Sequence, residues 1–255
     1  MVVDLVSRFP IAVTGLALVI VAVVGGLGGL LLFHRYVPVA VRREHNDVAG
    51  FIIAVVGVIY AVLLAFIAIA VWQDFNEAEA IVENEASLAG DIFLDAIDVA
   101  EPVGSQIRGD IREYVATVAH DEWPALAEGH IPARTPEALL RLQTALVRVV
   151  DRGPVFEEIL SRLNSLYDAR RERLNHAARG LQPIAWFVLL AGAVLTIAFT
   201  YLFGVPDLRL HMAMTGILAA SIAFVILLIV AFDYPFRGDV AITPAPFVEV
   251  LGSMK

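Results

Sequence analysis

Four long stretches without a charged residue divide this 255-residue chain two and two around a polar middle. The first runs from Ile11 to Phe33, the second from Val48 to Trp72, the third from Pro183 to Gly204 and the fourth from Leu210 to Phe232. A run of about 20 apolar residues rising 1.5 Å each matches the roughly 30 Å hydrocarbon core of a bilayer. No water is present there, so a lone span must satisfy its own backbone N–H and C=O groups, as a helix does. The expected fold class is therefore an all-α integral membrane protein, with four transmembrane helices and a helical extramembrane bundle between the second and third. The expected domains are residues 1–72 as a first transmembrane hairpin, 73–182 as the extramembrane domain, 183–232 as a second hairpin and 233–255 as a C-terminal tail. The first stretch is too long for a signal-peptide core and no small-x-small site follows it, so it reads as a retained span.

Charge separates the parts further. The net charge is −9, and 20 acidic residues against 11 Arg fall between Gln73 and Gln182, so the whole excess sits in the polar middle. Phosphate binding needs a basic face, which excludes a nucleic-acid partner. There is no cysteine, hence no disulfide and no thiolate metal site. Phosphate-loop, G-x-S-x-G and H-E-x-x-H patterns are absent, which argues against an enzyme and implies no cofactor. The six His residues (His34, His45, His120, His130, His176 and His211) are scattered without ligand spacing to one another, so no metal is expected. His45 with Asp47 reads as a solvated loop, with an ion site the alternative.

The middle segment reads as helices. Asp74 to Ala100 has one Gly and no Pro, and should continue the second span into water as one long helix. Pro102 suits the start of the next helix, which ends near His120. Asp121 to Pro136, with three Pro and a Gly, reads as a loop. Thr135 is a candidate N-cap for a helix that ends near Arg152, and Pro154 opens another that feeds into the third span. Phe247, Val248 and Leu251 are placed to pack a short closing helix. In the first span, Gly25 and Gly29 form a GxxxG that permits close helix approach.

One stripe of the long helix stands out. At about 100° per residue, Ala61, Ala65, Trp72, Glu79 and Glu83 lie within about 20° of Ala54, and Gly57, Ala68 and Asn76 within about 60°. Asp74, Glu77 and Glu85 point elsewhere. A stripe of small residues is ordinarily a helix-packing seam. In a ring of subunits it would instead line a pore with a carboxylate collar. Arg170, Arg171 and Arg173 precede the third span and are candidates for ion pairs with the acidic helix, with lipid headgroups the alternative.

Several segments resemble a bacterial family of bestrophin-like membrane proteins. They are Ile59-Tyr-Ala-Val-Leu-Leu-Ala-Phe66 with Trp72, Glu85-Ala86, Asp168-Ala-Arg-Arg-Glu-Arg-Leu174, and Pro235-Phe-Arg-Gly238 with Pro244 and Phe247. The resemblance covers about Gly50 to Leu251. It implies four membrane helices with a helical extramembrane part, and true bestrophins are pentameric anion channels. Bestrophin pore residues do not map onto this sequence.

Two functions follow as expectations. One is a homo-oligomeric ion channel in the bilayer, a closed ring with five subunits by the resemblance, passing small inorganic ions. The acidic stripe favours cations, while the resemblance favours anions. The other is a non-conducting membrane scaffold or sensor whose extramembrane helices bind a protein partner. The expected location is the bacterial inner membrane with several spans. Arg8, Arg170, Arg171, Arg173, Arg179 and Arg237 outnumber Arg35, Arg42, Arg43 and Arg209 on the other side, which puts the extramembrane domain in the cytoplasm.

Overall fold

The computed structural model describes residues 10–132, 135–148 and 153–255. Arg8 and the helix end expected near Arg152 lie outside these residues. The described residues are helices joined by short turns: α1 (Ile11–Tyr36), α2 (Val39–Arg43), α3 (Asn46–Asp95), α4 (Val103–Thr117), α5 (Trp123–Ala127), α6 (Glu137–Arg148), α7 (Pro154–Ala178), α8 (Pro183–Thr200), α9 (Leu208–Phe232) and α10 (Ala245–Ser253). Four helical stretches are long and apolar enough to cross a membrane. The chain divides into two compact units, Met1–Gln73 with Leu181–Asp233, and Asp74–Gly180 with Tyr234–Lys255.

The apolar unit is built from α1, the first part of α3, α8 and α9. Helix α1 packs along α9, and both touch α8. Tyr60, Leu64, Val71, Leu189, Ile197, Ala219 and Ile226 are among its buried residues. Two glycines of α1 set the approach. Tyr201 Oη donates to Gly26 O at 2.8 Å, and a Cβ on Gly29 would meet the same Tyr201 ring. Gly25, the other half of the GxxxG, faces open space. The inward pair is therefore Gly26 with Gly29, one position away from the motif. On α3, Tyr60 Oη donates to Leu189 O at 2.9 Å, and a Cβ on Gly192 would strike the Tyr60 ring. The loops are tied together by Arg42, which is buried and donates to Tyr201 O at 2.9 Å and Phe203 O at 3.3 Å, with His34 Nδ1 at 2.9 Å. Asn46 bonds both the N–H and the C=O of Gly204.

The polar unit packs the second part of α3 against α4 to α7 and α10. Helix α3 crosses the boundary in sequence without a break, because nothing between Asn46 and Asp95 is a proline. Its buried residues recur every three or four positions: Ala78, Val82, Glu85, Ala86, Ala89 and Ile92. Small residues dominate that face, which lets neighbouring helices come close. Three local expectations change. First, the segment after His120 is helical for longer than its composition suggests. A π-helical turn over Val118–Glu122 leads into α5, where Pro124 sits in the first turn and removes no needed donor. Second, α7 does not feed smoothly into α8. Arg179 is extended, and Pro183 opens a new helix in the first position, where its fixed φ is tolerated. Third, the tail from Tyr234 belongs to the polar unit. Phe236 and Phe247 pack on Trp123 with ring centroids 5.5 and 5.8 Å away, and Trp123 Nε1 donates to Ile242 O at 3.1 Å.

Candidate functional site

Helix α3 carries the candidate pore face. Its core-facing residues centre about 110° around the helix from Ala54, in both the apolar and the polar part. The stripe is thus on a different face from the one its own chain packs. In the apolar unit, Ala54, Ala61, Ala65 and Trp72 are exposed, and Gly57 and Ala68 are half-buried. The large side chains Phe51, Val55, Val58, Val62, Phe66 and Ile69, also exposed, lie on the far side of the stripe from the core. In the polar unit, Asn76, Glu79 and Glu83 are exposed. Among the described residues neither Glu79 nor Glu83 has an ion-pair partner. Ala68 packs against the apolar core, whereas Ala54, Ala61, Ala65 and Trp72 stay exposed, so most of the stripe is not a seam within one chain.

Glu85, six positions beyond Glu79, has the opposite fate. It is fully buried, at the centre of an ionic cluster inside the polar unit. Arg173, also fully buried, donates from Nε to Glu85 Oε2 at 2.6 Å and from Nη2 to Glu85 Oε1 at 3.1 Å. Nη2 also reaches Glu122 Oε2 at 2.7 Å, and Arg170 Nη2 donates to Glu122 Oε1 at 2.6 Å. Tyr114 Oη donates to Glu85 Oε1 at 2.5 Å. Two carboxylates thus face two guanidiniums, so the buried cluster is neutral. The Arg173 guanidinium lies 5.6 Å from the Trp123 ring centre and 5.9 Å from that of Phe247. Burial alone would lower the Arg173 pKa, but Glu85, Tyr114 and Glu122 together outweigh it and the net shift is upward. Burial, reinforced by Glu85, pushes the Tyr114 phenol well above its ordinary value, so it stays a donor.

The three arginines before the third span therefore behave differently. Arg173 meets Glu85 on α3. Arg170 meets Glu122 of the π-helical turn. Arg171 is exposed and pairs with Asp168 on its own helix at 2.7 Å. His45 Nδ1 lies 2.9 Å from Val41 O, on its own side of the turn. Sequence reasoning did not identify Tyr114, Glu122 or Trp123 as partners. Their only signal was helical spacing, and the Pro-rich stretch that follows obscured it.

Three of the four segments that carry the family resemblance meet here, the one from Ile59 to Trp72 lying in the apolar unit. Glu85, Arg170, Arg173, Phe236 and Phe247 all belong to the buried cluster or its aromatic wall. A family profile described as Bestrophin-like domain matches residues 20–247. Two crystal structures of point mutants of a bacterial bestrophin homologue from Klebsiella pneumoniae are similar to this chain. One has a TM-score of 0.67 at 11% identity, covering 91% of this chain and 97% of that one. The other has a TM-score of 0.68 at 11% identity, covering 92% and 97%. A third crystal structure, described as a mutant of a membrane protein, gives a TM-score of 0.69 at 11% identity over 92% of this chain and 97% of that chain. At these identities the likeness concerns the fold. No curated protein sequence matches the chain significantly.

Proposed function

This chain belongs to the bestrophin-like family, and from that premise we propose that it assembles with copies of itself into a pore for small ions, lined by α3. The observation that carries this reading is the stripe Ala54, Ala61, Ala65 and Trp72, exposed and flanked by half-buried Gly57 and Ala68, which continues along the same helix into exposed Asn76, Glu79 and Glu83. A chain that packs one face of a long membrane helix on its own core leaves the other faces for lipid and for neighbouring copies. Bulky residues suit lipid. Small residues followed by unpaired carboxylates suit a water-filled axis. A closed ring around one axis is the ordinary symmetry of such an assembly, and the resemblance to bestrophins implies five subunits.

Rings of carboxylates concentrate cations and repel anions. We therefore favour cation over anion passage, with Glu79 and Glu83 as the selective collar. The location is the bacterial inner membrane, with the polar unit in the cytoplasm. The test pairs mass measurement in mild detergent with ion flux from liposomes. A mass several times 27.6 kDa together with potassium-driven flux is the expected result. Protomers of 27.6 kDa alone, with liposomes that stay tight, would overturn the proposal in favour of a non-conducting scaffold.

A further inference from the structure

Several carboxylate groups in the polar unit meet arginine. Glu85 and Glu122 face Arg173 and Arg170. Asp110 and Glu113 share Arg141. Asp91, Asp95 and Glu158 share Arg162. Asp74 and Glu77 differ. They stand three residues apart on α3 and so share a face, yet among the described residues no guanidinium reaches either. What approaches them is His176 of α7. One ligand atom from each of the three lies within 4.8 Å of the other two.

The imidazole is placed as a ligand would be. His176 Nδ1 is sealed from solvent and lies 3.2 Å from Asp74 Oδ1, but the two do not meet hydrogen-bond geometry. A guanidinium can only donate, whereas a neutral imidazole can ligate a cation through its bare nitrogen. We propose that Asp74, Glu77 and His176 form a divalent metal site, with zinc its best match. One imidazole nitrogen and two carboxylate oxygens, with a fourth position left to water, is a donor set that zinc accepts. Magnesium and calcium prefer all-oxygen sets. A zinc ion about 2.1 Å from each ligand keeps tetrahedral ligands about 3.4 Å apart. Asp74 and His176 already have that spacing, and Glu77, being exposed, is free to turn in. The ion would bridge α3 to α7 and cancel the two negative charges. His176 and Asp74 are far apart in the chain, which is why ligand spacing in the sequence could not reveal the site. The proposal does not depend on whether the protein conducts.

Zinc alone is the probe. The full chain in detergent micelles is titrated with Zn²⁺ against a fluorescent chelator. Wild-type protein should hold zinc at micromolar concentration. His176→Gln and Asp74→Asn should each weaken uptake by about tenfold or more, Glu77→Gln by roughly threefold, and His130→Gln should leave it unchanged. No uptake by wild type, or unchanged uptake in His176→Gln and Asp74→Asn, would overturn the site. Should those two variants fail to fold, Glu77→Gln changes only an exposed side chain and decides alone: weaker uptake supports the site, and unchanged uptake removes it.

Discussion

Arg173 has no exposed surface, two carboxylates bonded to its guanidinium and two aromatic rings beside it. Truncating it would leave Glu85 buried with only the Tyr114 hydroxyl as partner, and removing one member of a buried ion pair typically costs about 3–5 kcal/mol. Arg173→Met should therefore lower the unfolding midpoint of the detergent-purified protein sharply. Arg171→Ala, which breaks only an exposed pair on one helix, should change stability by less than about 0.5 kcal/mol. Tyr114→Phe removes one hydrogen bond to a charged group, about 2 kcal/mol. The upward shift of the Tyr114 pKa gives this loss a defined pH range. A group raised in the folded state contributes its full stability below its unfolded pKa, about 10 for a phenol, and loses it progressively as pH rises from there through the folded value. The difference between Tyr114→Phe and wild type should therefore be flat from about pH 7 to 9, and chemical denaturation across that range checks it.

Helix α3 presents one face to a core in each unit and leaves another free. The packed face is tight because it uses small residues: Ala78, Ala86, Ala89 and Ala96 are all buried. Ala89→Leu should overpack it and cost about 1–3 kcal/mol, while Ala80→Leu, at an exposed position, should be close to neutral. In α1 the comparable pair is Gly29 and Gly25. Gly29→Val must displace the Tyr201 ring and should destabilise by about 1–3 kcal/mol. Gly25→Ala meets open space and should be neutral or slightly favourable. Thermal unfolding of the four variants side by side would separate them. These contrasts also mark how far the sequence could be read. The spans and the unbroken length of α3 were legible, because twenty uncharged residues and the lack of a proline are local facts. The inward glycine of α1 was not, since Gly25, Gly26, Gly28 and Gly29 differ only in what stands opposite them. Glu85 could be separated from Glu79 and Glu83 by angle alone. Its burial could not be read, because its partners Tyr114 and Arg173 come from two other segments. The π-helical turn at Val118–Glu122 was hidden by the prolines and acidic residues around it.

At the scale of the whole molecule, charge bears on the proposed function. The excess of −9 lies in the polar middle, and its field acts over about 10 Å at 0.1 M salt, further when salt is lower. Lys255 belongs to the polar unit, which we place in the cytoplasm. A reporter active only in the periplasm, fused to Lys255, should therefore stay silent; a strong signal would reverse the assigned orientation. Selectivity tests the central claim more directly, because only a pore along α3 makes it depend on Glu79 and Glu83. The measurement is the reversal potential of the reconstituted protein across a potassium chloride gradient, for wild type, for Glu79→Gln with Glu83→Gln, and for Glu172→Gln on α7 as a control. Wild type should sit toward the potassium equilibrium potential, the double variant should move toward chloride with roughly tenfold less cation flux, and the control should match wild type. A chloride-selective potential that the double substitution leaves unmoved would contradict the claim, and would return the stripe on α3 to the role of a surface between neighbouring chains.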